Sequence, residues 1–314
     1  MNTHKTPEID PHGPGQIVHA PSLDEEQVET PTASGSRFKA AIKDPMAIAG
    51  FAILLWWVID AVVITRIYPI DPLEQSFQPL LAPSSENWFG TDELGRDVLA
   101  RTLAGVNTSL PYAIALVFLA MIVGTVLGAI AGYFGKIIDE VIMRVADIVF
   151  AFPMIILAMV IAAALGPGLV NAAVAMLVAM WPSYARVTRS LVLSAARSEY
   201  VLAARLAGAS SVRVLVRDIL PNIVAPVLVL ATLDIGTAVL LLSGLSFLGL
   251  GAVPPAPDWG LAVSSGVQYF SAWWIAVFPG LAIFSVVLAF NFIGDTLRDT
   301  LDPRTSEAVQ DRAM

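Results

Sequence analysis

Chemistry requires reactive side chains within reach of one another, and this chain holds few that qualify. It has no cysteine, and its three histidines (His4, His12, His19) all fall within the first twenty residues. Thiolate and imidazole metal sites, disulfides, serine–histidine catalysis and histidine relays inside the body are thereby excluded. No phosphate-cradling GxxxxGK[ST] loop, HExxH or GxSxG occurs. Leu242-Ser243-Gly244-Leu245-Ser246 looks like an ATPase signature only superficially; it lies in an apolar run and reads as a packing segment. The ionisable residues inside long apolar runs are Asp60 and Asp234, with Glu140, Arg144 and Asp147 near the start of another run. Such residues are costly at membrane depth and usually functional. The spacings Glu140→Arg144 and Arg144→Asp147 suit pairing on one helix face, an interfacial salt-bridge network rather than a relay. Asp234 either anchors hydrogen bonds in a helix bundle or lines a polar path, and the anchor is the simpler reading. Two isolated carboxylates make a weak ion pathway. Any uphill work must therefore draw its energy from a partner chain or an ion gradient.

The informative stretch is 195–222. Ser198 suits an N-cap, with Glu199 in the first turn of a short helix. Ala203, Ala204, Ala207 and Gly208 leave that helix nearly without side-chain bulk on one side, and Gly208 can end it. Ser210 or Ser211 can restart a helix, and Pro221 marks the start of the next apolar run. A short, smooth helix of this kind suits being gripped in another protein's groove. The spacing fits equally a surface loop held to headgroups by the six arginines of 186–217.

The elements that must position these residues follow from composition. Of 314 residues, 56% are apolar and 14% charged, whereas a soluble domain carries roughly a quarter charged residues. A soluble enzyme or binding module is excluded, and the net charge of −8 argues against nucleic acid. Six apolar stretches, 46–66, 110–133, 143–165, 169–187, 223–250 and 272–294, each approach the roughly 20 residues that span a bilayer as a helix. The fold class is all-α, a polytopic membrane protein. With six spans, fifteen of the eighteen Lys and Arg fall on one side, which puts both termini and 186–217 in the cytoplasm. Residues 1–36, with five prolines, six carboxylates and one lysine, read as a disordered tail. The segments 67–109 and 251–271 are too rich in turn residues to span and should cap the outer face. Small residues four apart, Gly124/Gly128 and Gly128/Gly132, permit close helix approach, read as internal packing rather than dimerisation.

Four motifs in order along 40–304 resemble the inner-membrane permeases of ATP-binding-cassette importers, most closely the second permease of the dipeptide/oligopeptide/nickel class. Ala203, Ala204, Gly208, Leu220 and Pro221 match that family's coupling loop, with Glu199 in the Glu-Tyr-Val that often precedes it. Gly90-Thr91-Asp92-Glu93-Leu94-Gly95-Arg96-Asp97 looks like its extracytoplasmic signature. Ser246 to Gly251 with the Pro-Pro and Trp259-Gly260 that follow, and then Gly294 to Pro303, resemble its C-terminal third. Leu202 stands where the loop motif usually has a glutamate.

The resemblance implies a type I permease fold. It divides the chain into a tail (1–36), a juxtamembrane segment with the first span (37–67), an outer loop (68–109), a five-helix core (110–296) with its coupling loop (189–222), and a C-terminal tail (297–314). It implies a non-enzymatic subunit of the bacterial inner membrane that binds no cofactor or metal. ATP and Mg would sit on one or two partner ATPases, and a homologous second permease and an extracytoplasmic binding protein would complete the importer in membrane lipid. Peptides are the expected cargo. Nickel or metal chelates, oligosaccharides, or an ATP-independent secondary transporter are the alternatives.

Overall fold

A computed structural model describes residues 44–301, so the expectations for 1–36 and for residues after 301 lie outside the described residues. Within that range the regular structure is helical apart from one isolated bridge between Thr91 and Asp97. Helix α1 (Pro45–Ile67) starts from Asp44, whose carboxylate accepts from Met46 N at 3.2 Å, and Pro45 supplies no amide that would need a partner. It widens into a π turn at Asp60–Ile64. The others are α2 (Val98–Phe134), α3 (Lys136–Phe150), α4 (Met154–Leu165), α5 (Leu169–Ala195), α6 (Glu199–Leu206), α7 (Ser211–Phe247), α8 (Trp259–Gln268) and α9 (Trp274–Leu301).

Among the described residues four of these are long and apolar enough to cross a membrane (α1, α2, α7 and α9), or five if the bent pair α3–α4 is one span, against the six expected. Helix α5 has 27 residues but is interrupted by polar and aromatic positions from Trp181 to Tyr184. Where a single span was expected over 143–165, the chain turns by 89° between α3 and α4. Pro153 explains the break: its ring clashes with the preceding turn and pushes Phe152 out of the helical region. The salt bridges expected along α3 are absent among the described residues. Instead Asp139 takes both Nε and Nη2 of Arg189, and Asp147 takes Arg186, so the pairing joins α3 to α5.

Helix α2 begins twelve residues before the expected 110, and the irregular outer loop ends at Asp97. The polar residues that suggested a loop there are absorbed by burial, as Arg101 and Thr102 are both buried. A helix restarts at Ser211, one of the two expected positions, but it runs on into the span expected from 223, so that α7 covers both. Pro221 sits inside it, and the π turn at Val214–Ile219 accommodates the missing amide and the ring.

The bundle is built around α2. A Cβ at Gly124 would strike Trp181 O and Tyr184, one at Gly128 the Ala185 carbonyl, and one at Gly132 would come within 2.9 Å of Arg189 O. The glycine stripe therefore seats α5 on α2 within the chain. Helix α7 packs on α9, and α9 on α1. The main apolar core runs from Trp57 through Leu116, Met176 and Leu245 to Trp259.

Candidate functional site

At one end of the bundle, α6 joins α5 to α7. Ser198 has N-cap geometry, but its hydroxyl turns back to donate to Ala195 O at 2.6 Å. The helix closes at Gly208, whose φ of +84° a side chain would strain. Gly208 N donates to Arg205 O at 3.0 Å and Ala209 N to Ala204 O at 3.1 Å, which satisfies carbonyls of the last turn.

The two faces of α6 differ. Val201 is fully buried, with Ala204 and Ala209 beside it, against Ala129 and Tyr133 of α2, Val192 of α5, and Val214, Leu215 and Ile219 of α7. The Arg205 guanidinium lies 5.1 Å above the Tyr133 ring, and Asn222 Nδ2 donates to Tyr200 OH at 3.2 Å. One apolar cluster thus joins α6 to residues of α2, α5 and α7. The opposite face carries Ala203, Ala207 and Gly208 in the open, flanked by Leu202 at 49% and Leu206 at 91% exposure.

Of the coupling-loop residues expected from sequence, Glu199, Ala203 and Gly208 lie on the open side, and Ala204 and Leu220 are half-buried on the tethered side. Pro221 is exposed within α7. Sequence reasoning missed the anchor Val201 and the knob Leu206. Their signal was present, because Val201 and Ala204 are one turn apart on one face, and Leu202 and Leu206 form an i, i+4 apolar pair on the other.

At the far end, Gly90 to Asp97 form a buried brace rather than an open site. Thr91 Oγ1 donates to Gln78 O at 2.7 Å and accepts from Leu81 N at 2.8 Å, while Trp274 Nε1 donates to Thr91 O at 3.0 Å. Asp92 Oδ1 accepts from the amides of Leu94 and Arg96, both at 2.9 Å. Its Oδ2 takes Arg96 Nε at 2.6 Å and lies 3.4 Å from Arg101 Nε. Arg101 reaches Pro72 O, Pro255 O and Ala256 O at 3.2 to 3.4 Å, tying the first outer loop to the second. Asp97 caps α2 through Ala100 N at 2.7 Å and accepts from Asn87 Nδ2 at 3.0 Å. Gly90 and Gly95, at φ +73° and +74°, allow the loop to fold back so closely that a Cβ on Gly95 would strike Phe77 O. Arg101 and Asp258, which accepts from Ser109 Oγ at 2.9 Å, belong to this brace and were not singled out from the sequence.

Among the described residues no group of three or more His, Cys, Asp or Glu is placed to hold a metal. Asp60 is fully buried and its carboxyl has no hydrogen-bond partner among the described residues. Asp234, on α7, is partly exposed beside the hydroxyl of Tyr184 on α5.

Residues 124–307 match the family described as binding-protein-dependent transport system inner membrane component. The dipeptide transport system permease protein DppC of Alkalihalophilus pseudofirmus is 44% identical over 269 residues, covering 85% of this chain and 88% of that protein. The di/tripeptide transport system permease protein DppC of Pseudomonas aeruginosa is 41% identical, covering 83% and 89%. The nickel transport system permease protein NikC of Escherichia coli K12 is 42% identical over 250 residues, covering 79% and 87%.

Proposed function

Because the chain belongs to the family of binding-protein-dependent transport system inner membrane components, we propose that it is the permease subunit through which an ATP-driven importer passes peptides. It is a multi-pass inner-membrane protein and carries no catalytic machinery of its own. Two relatives named for peptide transport favour peptides over nickel as cargo. In this reading a homologous permease completes the pathway, and an extracytoplasmic binding protein delivers the peptide to the face that the outer brace holds rigid.

One observation carries the proposal: α6 is anchored by Val201 on one side and bare on the other, with Leu206 standing free. A partner ATPase grips the bare face, and its closure on ATP moves α6 with the ends of α2, α5 and α7. Nucleotide can bias access only by binding one arrangement better than the other, and α6 carries that difference. The signature residues Gly90 to Asp97 serve as a brace for the outer end, so that motion at α6 swings helices rather than deforming loops.

Uptake of a radiolabelled dipeptide into proteoliposomes is the direct test, with this chain reconstituted beside its second permease, ATPases and binding protein. ATP is expected to be required, with at least a tenfold difference between ATP and no nucleotide. Equal uptake without nucleotide would make the chain a secondary transporter.

A further inference from the structure

Asp234 stands apart from every other ionisable group at its depth. Asp60 is sealed off at 0% exposure, so nothing that passes through the bundle can meet it without rearrangement. Asp234 is partly exposed, and the next positions along its flank of α7, Thr237 and Leu240, are open. No Lys or Arg pairs with it among the described residues. Tyr184, fully buried, points its hydroxyl toward the Asp234 carboxyl yet finds no well-formed hydrogen bond. One turn along α5, buried Thr188 meets Thr125 of α2 with the two hydroxyl oxygens 3.5 Å apart. A polar band therefore crosses the α2–α5–α7 junction at membrane depth. On its α6 side an apolar groove of about 210 Å³ opens between α2 and α7, with Thr125 in its wall.

A carboxylate at membrane depth with no cation of its own is expensive to keep. A cation crossing the same depth faces the same desolvation cost unless it meets an anion. The two costs offset each other when the passing cargo carries the missing charge. We propose that Asp234, backed by Tyr184, is a station on the translocation path that receives the protonated amino terminus of a peptide as it passes. The proposal rests on the peptide-importer reading above and adds a residue and a chemical group to it.

The test compares a dipeptide with a free amino terminus and the same dipeptide N-acetylated, in the reconstituted importer with its binding protein. Stimulated ATP hydrolysis is followed in parallel. Asp234→Asn is expected to assemble, to keep ATP hydrolysis within about twofold, and to lower flux of the free-amine peptide about tenfold. Flux of the acetylated peptide should not change, and Asp234→Glu should restore the free-amine flux. Undiminished free-amine flux in Asp234→Asn would overturn the proposal, as would an equal loss for both peptides. Should Asp234→Asn fail to assemble, Asp234→Glu must keep the wild-type ratio of free-amine to acetylated flux while Tyr184→Phe lowers it, and an unchanged ratio in Tyr184→Phe would overturn the proposal. Absence of ATP-dependent peptide flux in the wild-type importer would instead refute the peptide-importer reading, so the two failures are distinguishable.

Discussion

Leu206→Glu is expected to abolish ATP-driven uptake, by a factor of a hundred or more, while leaving the bundle folded. Leu206 is 91% exposed, so its replacement removes almost no packing within the chain. What changes is the surface offered to a partner. An apolar knob seated in a groove is the kind of anchor whose loss costs about 2 kcal/mol or more, and a carboxylate forced into the same desolvated contact adds several kcal/mol. Three kcal/mol already corresponds to a factor on the order of a hundred in docking. Gly208→Glu is a poorer probe. Nothing lies within 4 Å of a Cβ there, but the φ of +84° strains any side chain, so lost uptake would mix a misfolded turn with lost docking. Uptake and thermal unfolding of the purified complex, measured together for Leu206→Glu, separate the two effects. Lost uptake with an unchanged melting temperature is the expected result.

The second large effect lies at the opposite face. Asp92→Ala should destabilise the protein by about 3–5 kcal/mol, because it leaves a buried guanidinium without its main anion. Arg96 and Asp92 are 6% and 3% exposed at their side chains, and Arg101 leans on the same carboxylate from 3.4 Å. The amides of Leu94 and Arg96 lose their acceptor too. For a chain of this size a fall in melting temperature on the order of 10 °C follows, read by thermal unfolding in detergent. Asp92→Asn, which keeps an oxygen for the amides but no charge, should fall between wild type and Asp92→Ala. A melting temperature unchanged in Asp92→Ala would remove the brace from the account of how the outer end is held.

Much of this was legible from residue types. The apolar runs located the helices, and the glycine triplet Gly124, Gly128 and Gly132 announced a close approach that proves to be α5 on α2. The helix at 199–206 with Gly208 at its end was readable because left-handed closure at glycine is local chemistry, whereas the hydroxyl of Ser198, read as an N-cap, bonds back to Ala195 O instead. What failed to show was decided by tertiary contact. Arg101 and Thr102 look like loop residues until Pro72, Pro255 and Trp259 supply their partners from far along the chain. Asp147 seemed to pair with Arg144 on its own helix, yet Arg186 on α5 takes it, and Arg189 takes Asp139, which the sequence had not singled out. The 89° turn at Pro153 was hidden because proline is tolerated inside membrane helices, and only packing decides whether it kinks or breaks. The spacing of Val201 with Ala204 and of Leu202 with Leu206 separates two apolar faces, but which of them meets the bundle is decided by packing against α2, α5 and α7.

The most direct measurement uses the natural absence of cysteine, which makes any introduced thiol unique in the chain. Leu206→Cys and Val201→Cys are each assembled with the partner ATPases and treated with a short thiol-to-amine crosslinker. Leu206→Cys should yield a crosslinked permease–ATPase adduct in high proportion, and Val201→Cys, buried against α2, α5 and α7, should yield almost none. No adduct from position 206, or equal adducts from both positions, would contradict the bare face of α6 as the handle the motor grips.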